Sequence, residues 1–246
     1  MKKLVTMLSA ALLIIIVHSC ETGELVPPEV DSDLFTESEL TVLIDNLMTA
    51  SPDVTTDLSH AREHRGTIKA VQPVIDPING GIIIGKSKLL RNKKGIAMAL
   101  KSHLEPGHAY TIWWVVWNFP ENCTVPGACT DADFAQAVAV GVDVMYAAGN
   151  VAGGSGIAGF AGHLKENDIS ASTNEFFGLE PVGLLDSKKA EIHLVVRSHG
   201  PKIPGQVQDQ ISSYEGGCTV FFDPFTEIPD APGECADTQF AIYPPA

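Results

Sequence analysis

The chain reads as mainly β: an antiparallel β-sandwich or barrel-like domain with one N-terminal helix and a short inserted helix. Three observations point there. From Thr67 onward, short apolar and β-branched segments recur, separated by turns rich in Gly, Pro and Asn. Two of these segments alternate with a period of two, the mark of a half-buried strand. No repeated helical pattern lies between them, as a parallel α/β sheet would require.

Eight segments carry this reading: residues 67–74, 81–90, 95–104, 109–118, 142–148, 156–164, 190–198 and 238–243. In 95–104, Ile96, Met98, Leu100 and Leu104 share one face, with Ala97, Ala99, Lys101 and His103 on the other. In 190–198, Ile192, Leu194 and Val196 point inward, while Glu191, His193, Val195 and Arg197 point outward. Segment 109–118 is apolar on both faces and holds Trp113, Trp114 and Trp117, so it is expected to be an interior strand covered on both sides. Residues 130–139 interrupt the strands as a short helix capped by Thr130 or Asp131.

Ahead of the strands, residues 36–50 read as a helix. Thr36 and Glu39 form a capping box, and Phe35 with Leu40 a hydrophobic staple. Leu40, Leu43, Ile44 and Leu47 fall on one face, and Ser51-Pro52 ends the element. Such a stripe docks on a core.

The first residues carry an address. Lys2 and Lys3 precede an apolar run over residues 4–17, then His18, Ser19 and Cys20. The run falls short of the roughly 20 apolar residues a spanning helix needs. Val17-His18-Ser19-Cys20 resembles a bacterial lipobox. That resemblance implies cleavage before Cys20 and lipid on its sulfur. Residues 1–19 are then a lipoprotein-type signal peptide, 20–35 a polar tether, and 36–246 a single β-rich domain. The expected location is the bacterial cell envelope, on the periplasmic or cell-surface side. Its membrane partner is engaged through the lipid anchor.

The formal charge of the whole chain is −14, and losing Lys2 and Lys3 makes it −16. Such a surface repels phosphate backbones, so nucleic acid is not an expected partner. Beyond Cys20, four cysteines remain: Cys123, Cys129, Cys218 and Cys235. An even set in an exported protein reads as two disulfides with three possible pairings. Local loop closure favours Cys123–Cys129 and Cys218–Cys235. The rival, a four-thiolate zinc site, lacks the usual close-spaced pairs. Paired cysteines leave no free thiol for catalysis. No cofactor is expected.

The histidines are the candidate chemistry. His60 and His64 stand four apart, but Glu63 does not follow the first of them as a metalloprotease base would. Glu191, His193, Arg197 and His199 share parity along one strand and its end. His103, beside Lys101, lies on the outward face of another strand. If those strands were neighbours, the five residues would form a patch for a divalent metal or an anionic ligand; the plainer reading is a solvated sheet face. Lys86, Lys88, Arg91, Lys93 and Lys94 surround a turn, where exposed charge is expected. The glycine-rich stretch 149–156 lacks a P-loop lysine. Ile157 stands where a nucleophile elbow needs glycine, so a tight hairpin is the expectation there.

Two blocks carry a wider likeness. They are Pro106-Gly107-His108-Ala109-Tyr110-Thr111-Ile112-Trp113-Trp114-Val115-Val116-Trp117-Asn118 and Glu191-Ile192-His193-Leu194-Val195-Val196-Arg197-Ser198-His199-Gly200-Pro201. They resemble a family of exported bacterial proteins without an established activity. The resemblance runs from Gly95 to the C-terminus and implies a single secreted domain, with no catalytic residues to carry over. The leading expectation is a non-catalytic binding or structural role, with an unknown protein or small molecule as partner. The alternative is a metal-dependent or acid–base enzyme using the histidine-bearing strands.

Overall fold

The computed structural model describes residues 67–246. Cys20, the tether, the helix expected at 36–50, His60 and His64 lie outside the described residues. All eight expected strands are present. They are β1 (Ile68–Asp76), β2 (Ile82–Asn92), β3 (Gly95–His103), β4 (His108–Trp117), β5 (Val142–Val151), β6 (Ile157–Lys165), β7 (Glu191–Pro201) and β9 (Glu234–Tyr243). A two-residue strand, β8 (Val220–Phe221), pairs parallel with β9.

The long strands form one antiparallel sheet in the order β5-β4-β7-β9-β1-β2-β3-β6. Its two ends meet to make a nearly closed barrel. Asn150 donates from its side-chain amide to the Gly159 carbonyl at 3.2 Å. Gly162 permits the approach, because a Cβ there would stand 2.7 Å from the Ala147 carbonyl oxygen. Register shifts at Val74/Ile75, Ile112/Trp113 and Val196/Arg197 add the local bends that closure needs. The glycine-rich stretch therefore differs from the expected hairpin. It joins β5 to β6, the two ends of the sheet order, and each strand's ladder partner lies elsewhere.

Burial follows the strand periods. Leu89, Met98, Leu100, Ile112, Trp114, Val116, Ile192, Leu194, Val196 and Tyr243 fill the barrel. Trp113, Val115 and Trp117 point the other way, into a second apolar cluster outside the sheet with Cys123, Cys129, Val140, Val142 and Val144. That second layer explains why β4 is apolar on both faces. β4 also lies between β5 and β7, as an interior strand should.

The cover over this face is built locally. Residues Asp131–Gln136 form a 3-10 turn that continues into the short helix α1 (Ala137–Val140). Thr130 is the cap, and Asp133 completes its capping box. Asp133 also accepts from the Thr124 backbone N–H at 2.7 Å. That bond, with others from Thr124, Thr130 and Gln136, holds its carboxyl well below the usual carboxylate range. The disulfide Cys123–Cys129 closes the same loop, and Cys218–Cys235 ties the segment before β8 to β9. Both are the local pairings.

At one end of the barrel, Arg91 differs from the solvated hairpin tip expected of it. It is 2% exposed. Its guanidinium donates to the carbonyls of Ser187 and Ala190 at 2.7 Å each, and to those of Tyr243 and Pro244 at 3.2 and 2.9 Å. Four carbonyls from the β7 approach and the C-terminal segment are gathered on one side chain.

Candidate functional site

Strand β7 carries four of the five sequence-selected residues, and its outer face is covered by loops. Glu191 is 1% exposed and His193 is 9% exposed. The period of two sends both to the face opposite Ile192 and Leu194, under the 123–134 loop. Glu191 Oε1 lies 2.7 Å from His193 Nε2 and accepts the Cys129 backbone N–H at 3.0 Å. Its other oxygen, Oε2, is buried with no hydrogen-bond partner among the described residues. The His193 ring tilts against Trp117 at 5.8 Å between centroids.

Arg197 stands four residues along the same face. The register shift between Val196 and Arg197 brings Asp237 of β9 opposite it. Arg197 Nη1 donates to Asp237 Oδ1 at 2.7 Å, and Nε donates to the Tyr214 carbonyl at 3.0 Å. The guanidinium lies 4.0 Å from the Tyr214 ring centroid. Burial pushes the Tyr214 phenol up to about 12. Asp131 sits by this group. Crowding by protein raises its carboxyl above the ordinary value, the nearby Asp237 charge adds to that, and His193 opposes it. Phe177 packs edge-on to Tyr214 at 5.2 Å and Phe134 edge-on to Trp117 at 5.1 Å. The result is an aromatic wall beside a buried carboxylate–imidazole pair and an ion pair.

His199 has the same parity and a different setting. It is fully buried. Trp113 Nε1 donates to Thr111 Oγ1 at 2.7 Å, and Thr111 Oγ1 lies 2.9 Å from His199 Nε2. His199 Nδ1 lies 3.0 Å from the Gly216 carbonyl, which can only accept. Nδ1 therefore carries the proton and Nε2 accepts from Thr111. Burial drives the imidazole down to about 4. In the unfolded chain it titrates near its ordinary 6.5. Between those values the unfolded state holds more protons, so stability falls as pH drops through this window. The expected loss from this group is about 2 kcal/mol between pH 7 and pH 5. Urea unfolding at the two pH values measures it, and His199→Asn, which keeps a donor for Gly216, is expected to flatten the difference.

His103 does not join them. Strands β9, β1 and β2 separate β3 from β7, so the five-residue patch does not assemble. Nor is the β7 face solvated, because its polar residues are roofed by the 123–134 and 207–218 segments. His103 instead lines a cavity at the barrel mouth.

The mouth has a geometric origin. The chain runs up and down through β1, β2 and β3 and then crosses to β4 in another part of the sheet, so the β1–β2 turn and the β3–β4 connection fall at the same end. Asp76, Asn79, His103, Glu105 and Tyr110 therefore converge there, with Gln239 of β9 behind them. The cavity is about 230 Å³. Asn79 donates to both Asp76 carboxylate oxygens, from its side chain at 2.6 Å and its backbone at 3.1 Å. Gln239 accepts from Ser102 Oγ at 2.8 Å and donates to the His103 carbonyl at 3.0 Å. The Tyr110 hydroxyl accepts the Glu105 backbone N–H at 3.0 Å, and burial pushes this phenol up to about 12. Among the described residues lining the cavity there is no lysine or arginine.

No protein-family model, curated protein or solved structure matches this chain. Its chemistry is read from the two sites. At the mouth, two carboxylates, an imidazole and a neutral phenol face one small space whose apolar lining comes from Ile82, Ile84, Leu104 and Ile228. That combination suits a small ligand offering hydrogen-bond donors or positive charge. On β7, a buried carboxylate orients an imidazole, as it would a general base.

Sequence reading missed most of the mouth. Asp76, Asn79 and Glu105 lie in turn motifs, Asp76-Pro77-Ile78-Asn79-Gly80-Gly81 and Glu105-Pro106-Gly107. The signal available was that, in a chain of antiparallel strands, alternate connections share an end. Tyr110 and Gln239 had none, since both sit inside strands rather than in turns.

Proposed function

We propose that this chain is a non-catalytic binding module of the bacterial cell envelope, held to a membrane by lipid on Cys20. It takes a small cationic or hydroxyl-rich ligand at the barrel mouth. The observation that carries this reading is the cavity lined by Asp76, Glu105, His103 and Tyr110, with no lysine or arginine among the described residues that line it. Mouths of β-barrels are preferred ligand positions, and a volume of about 230 Å³ limits the occupant to a small molecule. Two disulfides support an oxidising compartment. The acidic charge supports partners other than nucleic acid.

Calorimetric titration with ethanolamine, glycerol and acetate tests the ligand class. Ethanolamine or glycerol is expected to bind and acetate to fail. Glu105→Gln is expected to weaken ethanolamine by about tenfold, the size of one charge-assisted hydrogen bond. Acetate binding as tightly as ethanolamine would overturn the assignment. For the anchor, Cys20→Ser is expected to release the protein from membranes or leave the precursor uncut. A variant that matures and fractionates like the parent rules the lipid out.

A second reading rests on the Glu191–His193 pair at 2.7 Å. It makes the β7 face an acid–base or metal-dependent catalytic site, with Glu191 orienting His193 and Asp131 nearby. Metal analysis of the purified chain, repeated on His193→Ala, separates the metal form of this reading from the binding module.

A further inference from the structure

The disulfide Cys218–Cys235 packs against the buried ring of His199. Among the described residues, this is the one set of three potential metal ligands whose donor atoms all lie within 4.8 Å of one another. His199 Nδ1 is 3.5 Å from Cys218 Sγ and 3.7 Å from Cys235 Sγ. In a tetrahedral zinc site, bonds of about 2.3 Å to sulfur and about 2.0 Å to nitrogen place N and S about 3.6 Å apart. Two edges of such a site are thus already at the right length. The third edge is closed by the S–S bond itself, which must break before the sulfurs can stand about 3.8 Å apart as two zinc-bound thiolates do.

We propose that reduction of Cys218–Cys235 converts this corner into a site for a thiophilic divalent cation of the zinc type, held by both sulfurs and His199 Nδ1. The reductant is a dithiol. It supplies two electrons and two protons and becomes a disulfide, while the S–S bond breaks to two thiols. The incoming cation displaces both thiol protons to solvent. The sulfurs separate by rotation about their own side-chain bonds, since the Cα atoms stand 5.7 Å apart. His199 must bind through Nδ1, so its proton moves to Nε2. Thr111 Oγ1, 2.9 Å away, accepts there as readily as it donates. Burial keeps the imidazole neutral at neutral pH, so a lone pair is ready for the metal. Cys218 is only partly buried, so water reaches the fourth position. While the disulfide stands, the sulfurs are spent on each other and the corner holds no metal.

The test uses the full-length chain with Cys20→Ser, Cys123→Ser and Cys129→Ser, leaving this pair as the only cysteines. It is reduced on an immobilised dithiol and titrated with Zn²⁺ against a chromophoric chelator, and with Co²⁺ for its spectrum. The expected result is one ion per reduced chain and none per oxidised chain. Cobalt should show a tetrahedral spectrum with sulfur charge transfer. His199→Gln is expected to lower zinc affinity by about a hundredfold with both thiols still titratable. Tryptophan fluorescence reports whether the reduced chain keeps its native core. The proposal fails if the reduced chain binds no zinc, if the oxidised chain binds equally, or if His199→Gln binds as tightly as the parent. It fails too if zinc binds only after the native fluorescence is lost, which is thiol chemistry of an unfolded chain.

Discussion

Arg91→Met is expected to destabilise the protein by about 3–5 kcal/mol. Methionine keeps much of the volume and removes every donor. The carbonyls of Ser187, Ala190, Tyr243 and Pro244 then lose their partner in one step. Each buried acceptor left unpaired costs about 1–3 kcal/mol, and water entering the corner recovers part of it. Among the described residues no carboxylate forms a salt bridge with Arg91, though the Glu191 charge favours its guanidinium from a distance. It is held by geometry, and burial lowers its guanidinium to about 10, still charged at neutral pH. Arg91→Lys is therefore expected to recover only part of the loss, because one ammonium cannot span four carbonyls. Urea midpoints of the three proteins measure this. A loss below about 1 kcal/mol for Arg91→Met would mean the four carbonyls find water at no cost.

Leu194→Ala is the second large effect, expected at about 2–5 kcal/mol. Leu194 is wholly buried and lies opposite Trp114 on one side and Ala241 on the other. Truncation opens a cavity between a rigid indole and a strand backbone, and neither can move in to fill it. The upper half of the range is expected for that reason. Val195→Ala, one residue away on the outer face, is expected to cost less, because Val195 is only partly buried. Equal losses at the two positions would mean the inward parity of β7 is misassigned.

The two histidine-bearing strands show how far a period of two reaches. It placed Ile192, Leu194 and Val196 on one side of β7 and Glu191, His193 and Arg197 on the other, because alternation is a local property of an extended backbone. It could not say what lies over that second side. The partners of those residues are the Cys129 backbone N–H, Tyr214 and Asp237, which come from loops and from the next strand. His103 obeyed the same alternation, yet belongs to another site, because strand order is not written in strand periodicity.

The residues alone determined that this chain is β-rich, where each of its eight long strands lies, that β4 is interior, and that Thr130 or its neighbour begins a short helix. Those features depend on neighbours a few positions away: alternation, turn residues and capping side chains. Short loops also favoured the two disulfide pairings. Only the tertiary structure decided the rest. It joined the ends of the sheet, turned Arg91 from a surface charge into a buried clamp, and locked His199 between Thr111 and Gly216. It also gathered Asp76, His103, Glu105 and Gln239 into one cavity. Each of these brings together residues far apart in the chain. Their energies come from burial and from the pairing of polar groups across the barrel, and both arise only when the sheet closes.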